Sequence, residues 1–325
     1  MRVQIRSSAA MLSGVPFGLL YGALARFAFG QNRLTDAFAT LSAAFLLAVP
    51  VAVGALVVWF TTGAARTSWR NALLAPSLAT LLGALAASLL LVEAFVCVVM
   101  ALPVLLLMSV IGGLITCFVL RWRTEQNNSP FLGMLLLAPF LVAPVEQHFA
   151  VHSVQATVDS QIEIAADPHI VWANLIRVAP IQPEERRFRP VFDLLGAPRP
   201  LAATLDHGGV GGVRRGLFEQ NLAFIETITV WEPERRIDWA IAADTSQVTQ
   251  APWQEIGGRY FAVTAAGYRI EPLENGHVLL HLRSTHRLTT RFNGYGLLWT
   301  RWGLAEFQSE ILHVLKARAE GEAAS

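Results

Sequence analysis

One extended segment of the sequence carries a carboxylate where its pattern favours an apolar side chain. In the stretch NLAFIETITVW, residues 221–231, alternate side chains of a strand point to the same face. The face that includes Glu226 otherwise collects four apolar residues, Leu222, Phe224, Ile228 and Val230. A carboxylate buried there loses its hydration or takes up a proton unless a partner compensates it. Glu226 is therefore the first candidate for chemistry.

A cation can be placed opposite Glu226 by counting residues across the preceding hairpin. A two-residue loop at Gln220-Asn221 predicts that Arg215 faces Glu226, and arginine can pair with a carboxylate through two hydrogen bonds. Three interpretations stay open: a solvated ion pair at the rim of the sheet, a structural pair in a partly wet cavity, or direct contact with a ligand.

Polar side chains reach the same interior from the other end of the sheet. A three-residue loop closed by left-handed Gly276 predicts the pairs Ile270–Leu280, Tyr268–Leu282 and Ala266–Ser284. His286 then shares the inner face with Tyr268 and Ser284. Glu226 and His286 could act as general base and acid only if both reach the same reacting group. The alternatives are a solvent-accessible histidine at a strand end and ordinary lining residues at the other two positions.

A four-residue loop at Glu232–Arg235 sets the remaining register. It predicts the pairs Val230–Ile237, Ile228–Trp239 and Glu226–Ile241. Apolar and polar residues then separate between two faces, as expected for a sheet covered on one side. The predicted inner face contains Val213, Leu217, Phe224, Ile228, Val230, Ile237, Trp239 and Ile241, and the outer face contains Arg214, Thr227, Thr229, Arg236 and Asp238.

These strands belong to an ordered series of elements in residues 151–325. Asp167 followed by Pro168 is typical of a helix N-terminus. Apolar residues at helical spacing predict a long final helix. The predicted strands are 154–164, 201–205, 213–219, 222–231, 236–242, 259–270 and 277–286, and the predicted helices are 169–178, 184–195 and 293–320. This order predicts an α+β domain whose curved antiparallel sheet surrounds one long C-terminal helix.

The first 150 residues differ in composition from the rest. The whole chain is 54% hydrophobic and only 15% charged, and the charged residues are scarce in this half. A membrane span needs roughly 20 apolar residues. About five segments qualify as transmembrane helices: 7–25, 37–60, 71–92, 94–120 and 129–145. Glu93 marks a turn, and residues 97–103 could form a short re-entrant or interfacial piece because Pro103 could break the helix.

The placement of arginines predicts the orientation of these spans. In a five-span topology one side of the membrane receives Arg2, Arg6, Arg66, Arg70, Arg121 and Arg123, and the opposite side has Arg26 and Arg33. The positive-inside rule then predicts a cytoplasmic N-terminus and an extracytoplasmic C-terminal domain. We expect the membrane to be a bacterial inner membrane. The predicted spans contain no charged residue, which favours an anchor over a transporter of ions or protons.

Several kinds of site are not indicated. The net charge of +1 argues against a nucleic-acid partner. Cys97 and Cys117 offer neither a disulfide framework nor metal spacing. Residues 208–212 are rich in glycine but precede a strand, so they lack a dinucleotide-binding context. We expect no metal and no cofactor, and the pattern does not specify an oligomeric state.

The C-terminal half resembles a known superfamily in its order of elements and in short motifs. The motifs are VDSQIEIAADPHIVWANL, in which Ile164, Ala166, Val171 and Trp172 form an I-x-A-x-x-x-x-V-W pattern, then PRPLAATLDHGGVGGVRRGLF and FIETITVWEPERRIDW. Residues 152–320 resemble the START-like helix-grip superfamily (SRPBCC), in its polyketide cyclase/dehydrase and lipid-transport branch. The resemblance implies a sheet that grips a C-terminal helix around an apolar cavity. Members bind lipids, sterols, polyketides or other hydrophobic molecules, and some are enzymes.

The registers and the resemblance together define a predicted ligand cavity. Its predicted lining residues are Arg215, Phe224, Glu226, Ile228, Trp239, Tyr268, Leu282, Ser284 and His286. The favoured function is membrane-anchored binding of a lipid or another hydrophobic small molecule, with lipid transfer as an extension. One alternative is an enzyme of cyclase, dehydrase or hydrolase type that uses Glu226 and His286. The other is a ligand sensor that signals through the spans.

Overall fold

The chain divides into two compact units, Met1–Ala150 and Val151–Ser325. The structure is a computed structural model that describes residues 10, 12–29, 42–90, 92–122, 129–250 and 252–323. The predicted spans 7–25 and 37–60 therefore begin outside the described residues. Four of the arginines used to predict the orientation also lie outside the described residues: Arg2, Arg6, Arg33 and Arg123.

The N-terminal unit is built from α-helices that approach one another closely. They are α1 (Val15–Ala28), α2 (Val49–Trp59), α3 (Trp69–Leu89), α4 (Phe95–Trp122) and α5 (Ser129–Glu146). A π-helical turn, Ala44–Ala48, leads into α2. A Cβ atom added to Gly54 would lie 1.8 Å from the carbonyl oxygen of Ser109. The backbones of α2 and α4 are thus in direct contact at this glycine, as is usual where small residues meet at a helix interface.

The prediction of about five spans is wrong, because a spanning segment must be long enough as a helix as well as apolar. Only α3 and α4, among the described residues, are helices long and apolar enough to cross a membrane. The helices over 15–28, 44–59 and 130–146 are apolar but shorter. Hydropathy counts apolar residues whether or not they are helical, whereas a span needs one continuous helix. The break predicted at Pro103 is also wrong, because α4 continues through that residue.

The C-terminal unit contains one antiparallel sheet of seven strands in the order β1-β7-β6-β5-β4-β3-β2. The strands are β1 (Val154–Ile164), β2 (Pro200–Leu205), β3 (Val213–Phe218), β4 (Ala223–Glu232), β5 (Arg236–Asp244), β6 (Phe261–Pro272) and β7 (Val278–Leu288). Three helices accompany them: α6 (Pro168–Ile176), α7 (Pro190–Asp193) and α8 (Asn293–Ala323). The sheet is curved and α8 packs on it, which is the helix-grip arrangement.

The core of this unit lies between α8, α6 and the inner face of the sheet. The buried residues of α8 include Ile311, Leu312, Val314 and Leu315, which recur at helical spacing. They pack against inner residues of the sheet such as Ile237 and Leu280, both fully buried. Burial of this stripe, rather than the helix propensity of the segment, accounts for the position of α8.

The predicted registers are largely confirmed at two hairpins. Gly276 is left-handed (φ 78°), and Ile270–Leu280, Tyr268–Leu282 and Ala266–Ser284 are paired as predicted. Ile228–Trp239 and Glu226–Ile241 are also paired as predicted. The predicted pair Val230–Ile237 is wrong, because the register of β4 shifts between Ile228 and Val230 and Ile237 pairs with Trp231. Such a bulge inserts one residue and moves the end of the strand by one position.

The predicted pairing of Arg215 with Glu226 is wrong by one residue. Phe218 and Leu222 close a turn of three residues, Glu219–Asn221, where a turn of two was predicted. Arg214 therefore pairs with Glu226 on the buried face, while Arg215 is exposed. Leu217, predicted to face inward, is exposed with Arg215 for the same reason. A change of one residue in a loop exchanges the two faces of a strand.

The helix predicted over residues 184–195 is not formed. The structure has a 3-10 turn at Pro183–Glu185 and then the short helix α7. Pro190 explains the interruption, because a proline disfavours helical conformation in the preceding residue. Arg189 is accordingly extended, with φ −138° and ψ 121°. Residues 186–199 instead form a strap that is hydrogen-bonded to α8 near both of its ends.

Candidate functional site

A cavity of about 250 Å³ lies in the C-terminal unit between the sheet and α8. From α8 it is lined by Thr300, Gly303, Leu304, Phe307 and Ile311, and from residues 191–198 by Val191, Phe192, Ala197 and Pro198. Most of the remaining wall is apolar and comes from the inner face of the sheet, including Phe218, Phe224, Ile241 and Leu282. The cavity is therefore an apolar space with a small number of polar groups, the usual form of a small-molecule site.

The charged part of the wall is a single buried ion pair. Arg214 Nη1 donates to Glu226 Oε2, and both side chains are at most 10% exposed. Arg214 Nη2 also donates to the carbonyl oxygen of Leu175 at 3.4 Å. Burial raises the pKa of Glu226, and the charge of Arg214 opposes this shift. Because each charge compensates the other, the pair adds no net charge to the cavity.

Two aromatic side chains complete the polar corner. The Arg214 guanidinium lies 5.1 Å from the centre of the Trp239 ring, and Trp239 meets Tyr268 edge to face at 5.7 Å. Both aromatic residues are almost completely buried and line the cavity. Burial raises the pKa of the Tyr268 hydroxyl, so this group is protonated at any physiological pH.

His286 is buried next to the cavity wall rather than in it. Its Nε2 atom lies 3.0 Å from Thr300 Oγ1, and Thr300 is the residue that lines the cavity. Its Nδ1 atom is buried without a hydrogen-bond partner among the described residues. Burial and the nearby positive charge of Arg301 lower the pKa of His286. The imidazole of the folded domain is therefore neutral at pH 7.

This shift predicts that acid destabilises the domain. The unfolded chain binds a proton at His286 near pH 6.5, whereas the folded chain binds it only at lower pH. The free energy of unfolding should therefore fall as the pH is lowered through this interval, by up to about 1.4 kcal/mol per pH unit. Urea unfolding of the full-length protein at several pH values measures this slope. The slope should decrease in His286→Gln, and an equal slope in both proteins would contradict the prediction.

A buried glutamine that joins α8 to the sheet was missed by the sequence analysis. Gln308 is fully buried. Its Oε1 atom accepts a hydrogen bond from Ser160 at 2.7 Å, and its Nε2 atom donates to Val158 O and Ser284 Oγ, each at 3.0 Å. The apolar stripe predicted for this helix skipped position 308. Its spacing from Leu304 and Ile311 was the signal that could have identified it.

A second group that the sequence analysis missed fixes the strap against α8. Arg199 donates to Glu310 Oε1 at 2.8 Å and to Asp193 Oδ2 at 2.6 Å. The side chains of Arg199 and Glu310 are 9% and 3% exposed. Arg189 adds a hydrogen bond to Ser309 Oγ at 2.7 Å. Because the strap forms one wall of the cavity, these contacts hold that wall in place.

The structure places the nine predicted lining residues in three groups. Six line the cavity: Phe224, Glu226, Trp239, Tyr268, Leu282 and Ser284. Ile228 packs in the core of the sheet, and His286 lies behind Thr300. Arg215 lies on the opposite face, and Arg214 takes the position predicted for it.

A larger open groove of about 780 Å³ lies in the N-terminal unit. Leucine, alanine, glycine and valine dominate its walls, and its main charged feature is the ion pair between Arg26 Nε and Glu93 Oε1 at 2.6 Å. Gaps of this kind are expected between apolar helices. The smaller cavity is the better candidate site, because it combines apolar walls with buried polar groups. No group of three metal-ligating side chains occurs among the residues that the structure describes.

Solved structures with a similar arrangement cover about half of this chain. A START superfamily protein from Mycobacterium smegmatis is 13% identical, covers 51% of this chain and 98% of its own, and gives a TM-score of 0.34. A protein from Thermus thermophilus is 15% identical, covers 52% and 99%, and gives 0.35. A truncated norcoclaurine synthase from Thalictrum flavum is 14% identical, covers 51% and 97%, and gives 0.30. No family model and no curated protein matches the sequence. Similarity at this level says nothing about ligand or activity.

Proposed function

We propose that the C-terminal domain binds a small hydrophobic molecule in the cavity between its sheet and α8. The observation that carries this proposal is the apolar space itself, which adjoins a densely packed core. Phe224, Leu282 and Phe307 supply apolar wall from three different elements. A ligand of matching shape removes this apolar surface from water and gains dispersion contacts with the walls.

The size of the cavity restricts the ligand. At about 250 Å³ it lies slightly below the range of about 300–1,000 Å³ typical of small-molecule sites. A single ring system or one short acyl chain is the appropriate scale. A complete two-chain lipid would require the strap to move, so lipid transfer is a less direct interpretation than binding of a compact hydrophobic molecule.

We further propose that the N-terminal unit anchors the domain to a membrane. Helices α3 and α4 have the length and composition of spans. Many large apolar side chains of this unit are exposed, including Leu89, Leu90 and Met134 at 73% each. Apolar exposure on this scale is expensive in water and normal in lipid. The bacterial inner membrane is the proposed location. Placing the C-terminal domain opposite the N-terminus required an odd number of spans, and two spans return the chain to the side on which it began.

Acid–base catalysis by Glu226 and His286 has less support. The strands β4 and β7 that carry them are separated by β5 and β6, which corresponds to about 14 Å across a sheet at 4.8 Å per strand. His286 also contacts Thr300 rather than the cavity. A general base must come within hydrogen-bond distance of the reacting proton. This separation argues against concerted action of the two groups on one small substrate.

The proposed function is tested by what the purified protein carries. Native mass spectrometry of the full-length protein, released from detergent, should show a bound hydrophobic molecule of a few hundred daltons. An empty cavity, together with no thermal shift on addition of apolar aromatic compounds, would contradict the proposal.

Filling the cavity should abolish binding without unfolding the domain. Gly303 lines the cavity, and a Cβ atom added there would meet only Val191 Cγ2, at 3.9 Å. Gly303→Leu therefore places its side chain in the empty space, and loss of a helical glycine favours the helix by about 1 kcal/mol. We expect at least a tenfold loss of affinity for naphthalene, measured by equilibrium dialysis.

The same helix offers a matched control for this variant. A Cβ atom added to Gly321 would meet nothing within 4 Å, and the residue is exposed. Gly321→Leu should bind naphthalene as the wild type does. Equal affinities of Gly303→Leu and the wild type would show that the cavity is not the binding site.

A further inference from the structure

The polar groups of the cavity wall lack acceptors rather than donors. Tyr268 is 4% exposed, lines the cavity, and its hydroxyl has no hydrogen-bond partner among the described residues. Two more lining side chains have buried N–H donors without an acceptor there, Trp239 at Nε1 and Arg214 at Nε. A buried donor that stays unsatisfied costs free energy, so such groups in native proteins normally have a function or an unseen partner.

The other hydroxyl groups of the wall and the Glu226 carboxylate already have partners. Ser284 Oγ accepts from Gln308 Nε2 at 3.0 Å, and Thr300 Oγ1 is paired with His286. Glu226 and Arg214 are paired with each other. Tyr268 is therefore the hydroxyl that is both positioned on the wall and available to a ligand. The neighbouring ring and the strand hold it in one orientation, because Trp239 packs against its ring and β6 fixes its backbone.

The charges of the cavity wall restrict which polar group a ligand can carry. Its charged lining residues are Arg214 and Glu226, which sum to zero. A ligand carboxylate or phosphate would bring an uncompensated negative charge into a site with low dielectric, at a large desolvation cost. An uncharged oxygen carries no such cost and still accepts a hydrogen bond.

We propose that the natural ligand is a compact apolar molecule with one uncharged oxygen, a hydroxyl or a carbonyl, that accepts a hydrogen bond from Tyr268. This inference rests on the proposed function and adds the class of ligand to it. The apolar walls bind the body of the molecule. The hydroxyl of Tyr268 selects the oxygenated compound over the hydrocarbon of the same shape, because the hydrocarbon leaves that donor unsatisfied.

Three ligands of nearly one shape test this inference on the full-length protein in detergent. They are naphthalene, 2-naphthol and 2-naphthoate, and equilibrium dialysis gives the affinity of each. We expect 2-naphthol to bind the wild type about fivefold to tenfold more tightly than naphthalene, which is the effect of one buried hydrogen bond. The charged 2-naphthoate should bind more weakly than 2-naphthol.

The variant Tyr268→Phe removes the donor and keeps the ring. It should lower the affinity for 2-naphthol to that for naphthalene, with the affinity for naphthalene unchanged within about twofold. Detergent micelles take up the same share of each ligand in both samples, so this uptake cancels in the ratio of the affinities of variant and wild type. Tyr260→Phe, in a half-buried tyrosine that does not line the cavity and whose hydroxyl accepts from Arg259 Nη2 at 2.5 Å, is the matched control and should change neither affinity.

The outcomes separate this inference from the proposed function. If the wild type binds naphthalene and 2-naphthol equally, or Tyr268→Phe keeps the preference, the inference is wrong and hydrophobic binding stands. Tighter binding of 2-naphthoate than of 2-naphthol would overturn the uncharged class. If no ligand of the three binds the wild type, the proposed function fails with it.

Discussion

Replacing Arg214 by methionine should lower the free energy of unfolding of the C-terminal domain by about 3–5 kcal/mol, because Glu226 then keeps a buried charge without a partner. Burial already raises the pKa of Glu226 in the presence of Arg214, and loss of the cation should raise it further. Urea unfolding of the full-length protein, followed by near-ultraviolet circular dichroism, measures the loss. The surface variant Arg283→Met, whose partner Asp159 is 57% exposed, should show no measurable loss.

The pH dependence of Arg214→Met distinguishes a lost ion pair from lost packing. A carboxyl with a raised pKa in the folded state contributes stability below its unfolded pKa, and this contribution is lost as the pH rises through the folded pKa. The variant should therefore be least stable at neutral pH and recover relative to the wild type towards pH 4.5. The double variant with Glu226→Leu should regain most of the stability at neutral pH. A deficit that is independent of pH would contradict the ion-pair explanation.

The alternation of side chains was sufficient to identify Glu226 as unusual and insufficient to find its partner. The apolar residues around Glu226 determine its face, whatever the loops do. The identity of the facing arginine depends on whether the loop holds two residues or three, and Gln220 and Asn221 both take left-handed conformations that the sequence does not require. Arg214 and Arg215 are adjacent and chemically identical, so composition could not correct the error. At the last hairpin, Gly276 specified the loop, and the register followed.

For the helices, too, the local sequence predicted that an element exists but not where it ends or what it contacts. Apolar content predicted the existence of α1 to α5, because each is rich in leucine, alanine and valine. It did not predict their ends, since apolar residues continue beyond α1 into Phe29 and beyond α2 into Phe60. The strap was missed because its position depends on contacts distant in sequence, chiefly those of Arg199 with Glu310. No local pattern at residues 186–199 records a partner on α8.

A methionine in place of Gln308 should have an effect comparable to that of the ion-pair variant. The glutamine makes three hydrogen bonds inside the core, and a methionine of similar volume makes none. Each buried group left unsatisfied costs about 1–3 kcal/mol, so the free energy of unfolding should fall by several kcal/mol. Gln247→Met, at an exposed glutamine in the turn after β5, is the control and should be neutral within about 0.5 kcal/mol.

Removing the partners as well decides whether unsatisfied hydrogen bonds cause this loss. The triple variant Gln308→Met, Ser160→Ala, Ser284→Ala also removes the two hydroxyls that lose their partner in Gln308→Met. Only Val158 O then lacks the donor that Gln308 supplied. Replacing both sides of a buried hydrogen bond by apolar groups is nearly neutral, whereas replacing one side is not. The triple variant should therefore be more stable than Gln308→Met alone. If it is less stable, packing of the glutamine side chain, and not its hydrogen bonds, joins α8 to the sheet.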